Sequence, residues 1–157
     1  MSTTRNYGVE EIKPDPPPWW DRLEQRLRQY APTALRVSIG LVFVWFGLLK
    51  AIGESPVADL VHATVPFVSE GLLMPVLGVV EIVLGVALMI GHPRRLALIA
   101  VAGHLAGTFL VFVNAPTLSW SDGNPLLLTA NGEFVLKNVV LICAVLMLLG
   151  HRRTVRR

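Results

Sequence analysis

Cysteine is nearly absent: Cys143 stands alone in 157 residues, so no intrachain disulfide can staple this chain. Charge is scarce as well, at 16% of residues against the roughly 25% of an ordinary globular domain. That deficit excludes a soluble domain, and 53% hydrophobic residues with a mean hydropathy of +0.56 exclude disorder over most of the length. Lysine and arginine are missing altogether from residues 53–70 and 114–133. No two histidines have metal-ligand spacing, and His62, His92 and His151 read as surface or interfacial residues. There is no phosphate loop, nucleophile elbow or haem-attachment motif. No metal site is expected, nor an enzyme that works on its own.

What the chain does have is long uncharged runs. Four of them approach the length needed to cross about 30 Å of hydrocarbon: Leu35 to Ile52, Gly71 to Ile90, Leu96 to Val113 and Phe134 to Leu149. Buried helices of a soluble bundle would show polar faces at every turn, and the second and third runs have almost none. The expected fold is an all-α membrane protein, a bundle of four transmembrane helices in contact with the lipid bilayer.

Basic residues gather on one side of these runs. Arg5, Lys13, Arg22, Arg26 and Arg28 precede the first, Arg94 and Arg95 separate the second from the third, and Arg152, Arg153, Arg156 and Arg157 follow the last. By the positive-inside rule both termini are cytoplasmic and the two longer loops face outward. The sequence pI of about 9.5 is therefore an orientation signal, and no nucleic-acid partner is expected.

Residues 1–18, ending in Pro16-Pro17-Pro18, form a Pro-rich cytoplasmic tail expected to be disordered, and no secretory signal is read there. Residues 19–30 follow as a short amphipathic helix, with Leu23, Leu27 and Tyr30 on one stripe, arginines beside it and Trp19-Trp20 in front. Such a segment suits the headgroup layer. Residues 33–150 make the membrane domain and 151–157 a basic cytoplasmic tail. In the first outer loop, Ser55 as N-cap and Pro56 at the first helical position predict a short surface helix ending by Pro66, with Val57, Leu60, Val61 and Thr64 on one face. The second outer loop carries the turn signals Asp122-Gly123-Asn124-Pro125 and Asn131-Gly132, with Leu126 to Leu128 expected at the interface.

Ionisable residues inside the spans are the informative exceptions, because each costs a few kcal/mol or more at mid-bilayer unless paired or hydrated. Arg36, Gly40, Phe43, Gly47 and Lys50 stand on one stripe of the first span, which should face the bundle because glycines let helix backbones approach closely. Arg36 sits at the inner end, where it can snorkel to phosphates; Lys50 either snorkels outward or belongs to a buried site. Glu81 is central in the second span, on the stripe of Gly78 and Gly85, and is either carried neutral or paired with a cation across the bundle. His104 lies at similar depth in the third span, and Lys137 and Asn138 one turn inside the outer end of the fourth. Lys50, Glu81, His104, Lys137 and Asn138 thus outline a polar pocket, or a structural ion-pair network that sets helix register, or an ion pathway.

Phe43 to Lys50, Ser55-Pro56 with Leu60, Glu81 with Gly85, Gly107-Thr108-Phe109 and Gly132 to Leu141 together resemble the DoxX-like family of small four-helix membrane proteins, and the last segment looks like its YkgB-related branch, the reactive chlorine resistance protein C type. The resemblance spans residues 33–150. It implies a multi-pass protein of the bacterial inner (plasma) membrane that serves as a subunit or partner of other membrane or redox proteins in oxidative-stress functions. A quinone is the cofactor that the resemblance suggests: Lys50, or Lys137 with Asn138, would bond a carbonyl oxygen, and His104 with Glu81 would relay protons. Two alternatives stay open, a small-solute, anion or proton transporter gated by Glu81, and a non-enzymatic scaffold or homo-oligomer built on the glycine stripes.

Overall fold

A computed structural model describes residues 18–151. The expected tails, 1–18 and 151–157, lie outside the described residues except for Pro18 and His151. Four helical spans are long and apolar enough to cross a membrane: Trp19–Ala51, Gly71–Ile90, Arg94–Asn114 and Ala130–Gly150. They comprise α1 (Trp19–Ala51), α3 (Glu70–Ile90), α4 (Arg94–Gly107) running through a 3₁₀ turn at Thr108–Leu110 into α5 (Val111–Asn114), and α7 (Ala130–Leu136) followed by α8 (Asn138–Gly150). Between them lie α2 (Ala58–Thr64), α6 (Pro116–Ser119) and a small hairpin of β1 (Trp120–Ser121) and β2 (Asn124–Leu128).

The first departure from expectation is α1. Instead of a separate interfacial helix over 19–30, the helix runs unbroken through Pro32 into the first span, 33 residues in all. Proline deletes one backbone donor and disfavours helix in the residue before it, which is why Ala31-Pro32 reads as a boundary. The flanking Leu, Gln, Arg and Ala residues are strong helix formers and carry the helix across it.

Packing of α1 on α3 rests on two glycine pairs. A Cβ on Gly47 would lie 2.6 Å from the Gly78 carbonyl oxygen, and one on Gly40 would lie 2.7 Å from that of Gly85. Each helix spaces its pair seven residues apart, so the two antiparallel backbones touch twice along one seam. At the end of α3, Gly91 takes φ +80 and closes the helix with a bond from its N–H to Ala87 O, 2.8 Å. Arg36 fills the space where a side chain on Gly91 would go, and donates to Leu88 O. Arg94 does the same for α8, bonding Leu148 O at 2.7 Å and His151 O at 3.2 Å. The two arginines satisfy helix-terminal carbonyls that have no intrahelical donor.

Two apolar clusters bracket the bundle. One joins Ile39, Phe43, Leu88, Leu98, Val101, Val145 and Leu148. The other joins Leu60, Val111, Ala115 and Val135 at the opposite end. Polar groups occupy the level between them.

The loops partly follow expectation. α2 forms with Leu60 and Thr64 buried, but begins at Ala58 with Val57 in the capping position and no side-chain cap. Ser55 is not its N-cap, and its hydroxyl is buried without a hydrogen-bond partner among the described residues. The Asp122-Gly123 turn signal becomes the tip of the hairpin, both residues having positive φ as tight two-residue hairpin turns require. Leu126 and Leu127 are exposed on β2.

Candidate functional site

Glu81, near the middle of α3, is the hub of the polar level. Its carboxylate accepts from Lys50 Nζ at both oxygens, 2.9 Å to Oε1 and 2.7 Å to Oε2, and from His104 Nε2 at 2.8 Å on Oε1. Lys50 and Glu81 are 6% and 7% exposed. Lys50 therefore does not snorkel outward, because a desolvated carboxylate across the glycine seam holds it. The Gly47–Gly78 contact is what makes this reach short, since Lys50 is one turn beyond Gly47 and Glu81 one turn beyond Gly78. The Phe43 ring packs edge-on against His104, centroids 5.6 Å apart.

A second polar link lies beside the first. Asn138 Nδ2 donates to Thr108 Oγ1 at 2.9 Å, and Thr108 Oγ1 in turn donates to Leu105 O at 2.6 Å. Both partners sit where a span leaves regular α geometry. Thr108 opens the 3₁₀ turn after α4, and Asn138 opens α8 directly after Lys137, at which α7 ends. Mid-helix 3₁₀ stretches often mark hinges or functional sites. Pro75, the proline of the second apolar run, is carried inside α3, and the irregular points are elsewhere.

Lys50, Glu81, His104, Lys137 and Asn138 all line one cavity of about 710 Å³. Its remaining wall is mostly apolar, including Phe46, Leu60, Leu105, Val135 and Leu141. Lys137 is exposed at this wall, and its ammonium has no hydrogen bond or ion pair among the described residues. Arg36 lies apart, in a small cleft with Gln29, Gly91, Arg94 and His151. The five residues thus lie around one cavity, and Arg36 lies at the helix ends. Compared with protein-family models, curated proteins and solved structures, the chain matches none. The site is read on its own chemistry.

That chemistry is rich in donors and poor in acceptors. Glu81 takes two of the three N–H donors of Lys50, leaving one, and Asn138 spends one of its two amide donors on Thr108. Lys137 adds a full set. The one carboxylate in the wall is already engaged three times. A ligand that fits would be largely apolar and would present oxygen acceptors. No group of three His, Cys, Asp or Glu side chains able to hold a metal occurs among the described residues. Thr108 is the residue that sequence reading missed as a site member; its signal was a hydroxyl next to Gly107 deep in an apolar run.

Proposed function

We propose that this chain is a DoxX-like protein of a bacterial plasma membrane, with both termini cytoplasmic, whose cavity binds a lipophilic carbonyl compound of the quinone class. In that role it serves as a subunit or partner in a membrane redox or oxidative-stress function. The observation that carries the reading is the cavity itself: about 710 Å³, apolar over most of its wall and ending on the donors of Lys50, Lys137 and Asn138. Its volume is within the usual range for a drug-sized ligand. A quinone ring is apolar at its faces and accepts hydrogen bonds at its two oxygens, which matches that distribution. His104 and Glu81, hydrogen-bonded to each other behind Lys50, supply a route for protons to reach a reduced oxygen.

The test is extraction of the purified protein for bound quinone, with titration of a soluble short-chain quinone followed by absorbance and by Trp fluorescence. Saturable binding that Lys137→Met and Asn138→Leu together weaken at least tenfold is expected. Neither bound quinone nor any saturable change would overturn the reading.

Transport is favoured by a different observation, the two interrupted spans that meet at Thr108 and Asn138. Interrupted helices mark substrate sites in many transporters. Flux of small anions or protons in proteoliposomes that Glu81→Gln abolishes would establish it, and equal flux in wild type and variant would exclude it.

A further inference from the structure

α1 is longer than a membrane crossing requires. It has 33 residues where the other spans have 20 or 21, so at 1.5 Å per residue it runs about 50 Å against about 30 Å. Arg36 bonds Leu88 O and lies beside Gly91, level with the ends of α3 and α8. Gln29, Pro32 and Thr33 still line the cleft with Gly91, Arg94 and His151, and the residues before them, Trp19 to Arg28, extend past the described bundle by roughly three turns. Trp20, Leu27 and Tyr30 are 57%, 57% and 62% exposed.

These exposed residues have a repeat. Trp20, Leu23, Leu27, Tyr30, Ala34, Val37, Leu41, Val44 and Leu48 alternate three and four apart, an unbroken a/d heptad seam of apolar residues. Between Trp20 and Tyr30 the other positions are all polar: Asp21, Arg22, Glu24, Gln25, Arg26, Arg28 and Gln29. Within the membrane the seam lies about a third of a turn from the face that buries Gly40, Gly47 and Lys50 against α3, and Val44 at its near edge packs on Gly85. Val37 and Val44 are half-buried, and the other seven seam residues are exposed.

We propose that α1 is a homodimer interface, in which two copies pair in parallel along the Trp20 to Leu48 seam. A second copy is the occupant that fits best. Two chains inserted in the same direction present the same heptads in register, and a period of 3.5 residues is what a left-handed helix pair needs. The seam flanks admit it: in a parallel pair Arg26 faces Ala31 of the second copy and Trp19 faces Glu24, so no like charges meet. Arg28 is held to Glu24 of its own helix at 2.6 Å, away from the seam. The exposed apolar surface of the nine side chains is on the order of 700 Å² per copy, close to the roughly 800 Å² per partner of a stable interface. A membrane surface is the weaker occupant, because α1 would have to bend sharply at Pro32 to lie on it, and the helix continues there. The pairing leaves the cavity uncovered, since that opens on the Phe43, Phe46 and Lys50 side of α1.

Cross-linking of the full chain in vesicles tests the pairing, with Cys143→Ser as background. Leu23→Cys and Leu27→Cys, on the seam, should form disulfide-linked dimers rapidly, and Gln25→Cys, on the outer face, at least tenfold more slowly. Leu23→Glu with Leu27→Glu should convert a dimer to a monomer by light scattering in mild detergent; both positions are exposed, so folding is not at stake. Equal cross-linking at 25 and 27, or a wild-type monomer, would overturn the proposal. So would a monomer whose Trp19 and Trp20 fluorescence is quenched by brominated lipid, which would put the extension on the bilayer surface.

Discussion

The Lys50–Glu81 pair invites a double-mutant cycle. Glu81→Gln preserves the shape of the side chain and a bond to His104, yet leaves the buried Lys50 ammonium, 2.7 Å away, facing a neutral amide. Removing one partner of a buried pair costs about 3–5 kcal/mol, because the surviving charge stays desolvated. Lys50→Met should cost a similar amount by stranding the carboxylate, softened by its bond with His104. The two together remove both charges, and Met can lie against the Phe46 ring that Lys50 approaches. The double variant should therefore be no less stable than either single one, which makes the coupling at least as large as the larger single loss, about 3 kcal/mol or more. Unfolding free energies from titration with a denaturing detergent in mixed micelles measure all four corners. If the single losses simply add, with a coupling under about 0.5 kcal/mol, the pair is not the buried unit described here.

Three further outcomes are expected. Gly47→Ala should destabilise by about 1–3 kcal/mol, since its Cβ meets the Gly78 backbone at 2.6 Å, while Gly103→Ala, with open space around it, should be neutral or slightly stabilising; thermal stability in detergent separates them. Thr108→Val should cost about 1–3 kcal/mol by leaving the Asn138 amide without its acceptor, and Thr108→Ser should restore most of it in the same assay. Reporter fusions at positions 60, 93, 122 and 157 should show 60 and 122 outside and 93 and 157 inside; a reporter at 93 active outside would reverse the orientation argument.

The spans were legible because lipid imposes a simple rule: backbone groups must be satisfied within the segment, so long apolar runs become helices. The glycine pairs were legible too, since Gly40 and Gly47 fall on the stripe of Lys50, and Gly78 and Gly85 on that of Glu81. Periodicity says which face a residue occupies but not which partner helix that face meets. The mutual contact of Lys50, Glu81 and His104 needed the antiparallel register of α1 on α3 and the position of α4, and neither is encoded in any one window. The continuity of α1 was hidden for the opposite reason. A strong local signal, proline after alanine, opposed the helix propensity on both sides of it, and propensity prevailed.

Placement of the irregular points beside the charged hub has a physical logic. A 3₁₀ turn at Thr108 and an interruption at Lys137 loosen backbone bonds that lipid cannot satisfy. They are tolerable only where side chains or a cavity accept the freed groups, and Thr108, Asn138 and the cavity are found at that level. A scaffold that used Lys50 and Glu81 only to fix register would have no reason to depart from regular α geometry in two neighbouring spans at the same level. The coincidence of a buried ion pair, two interrupted helices and one cavity is therefore stronger support for a ligand site than the ion pair alone, and it places Thr108 and Asn138 alongside Glu81 as the residues whose replacement should alter ligand affinity.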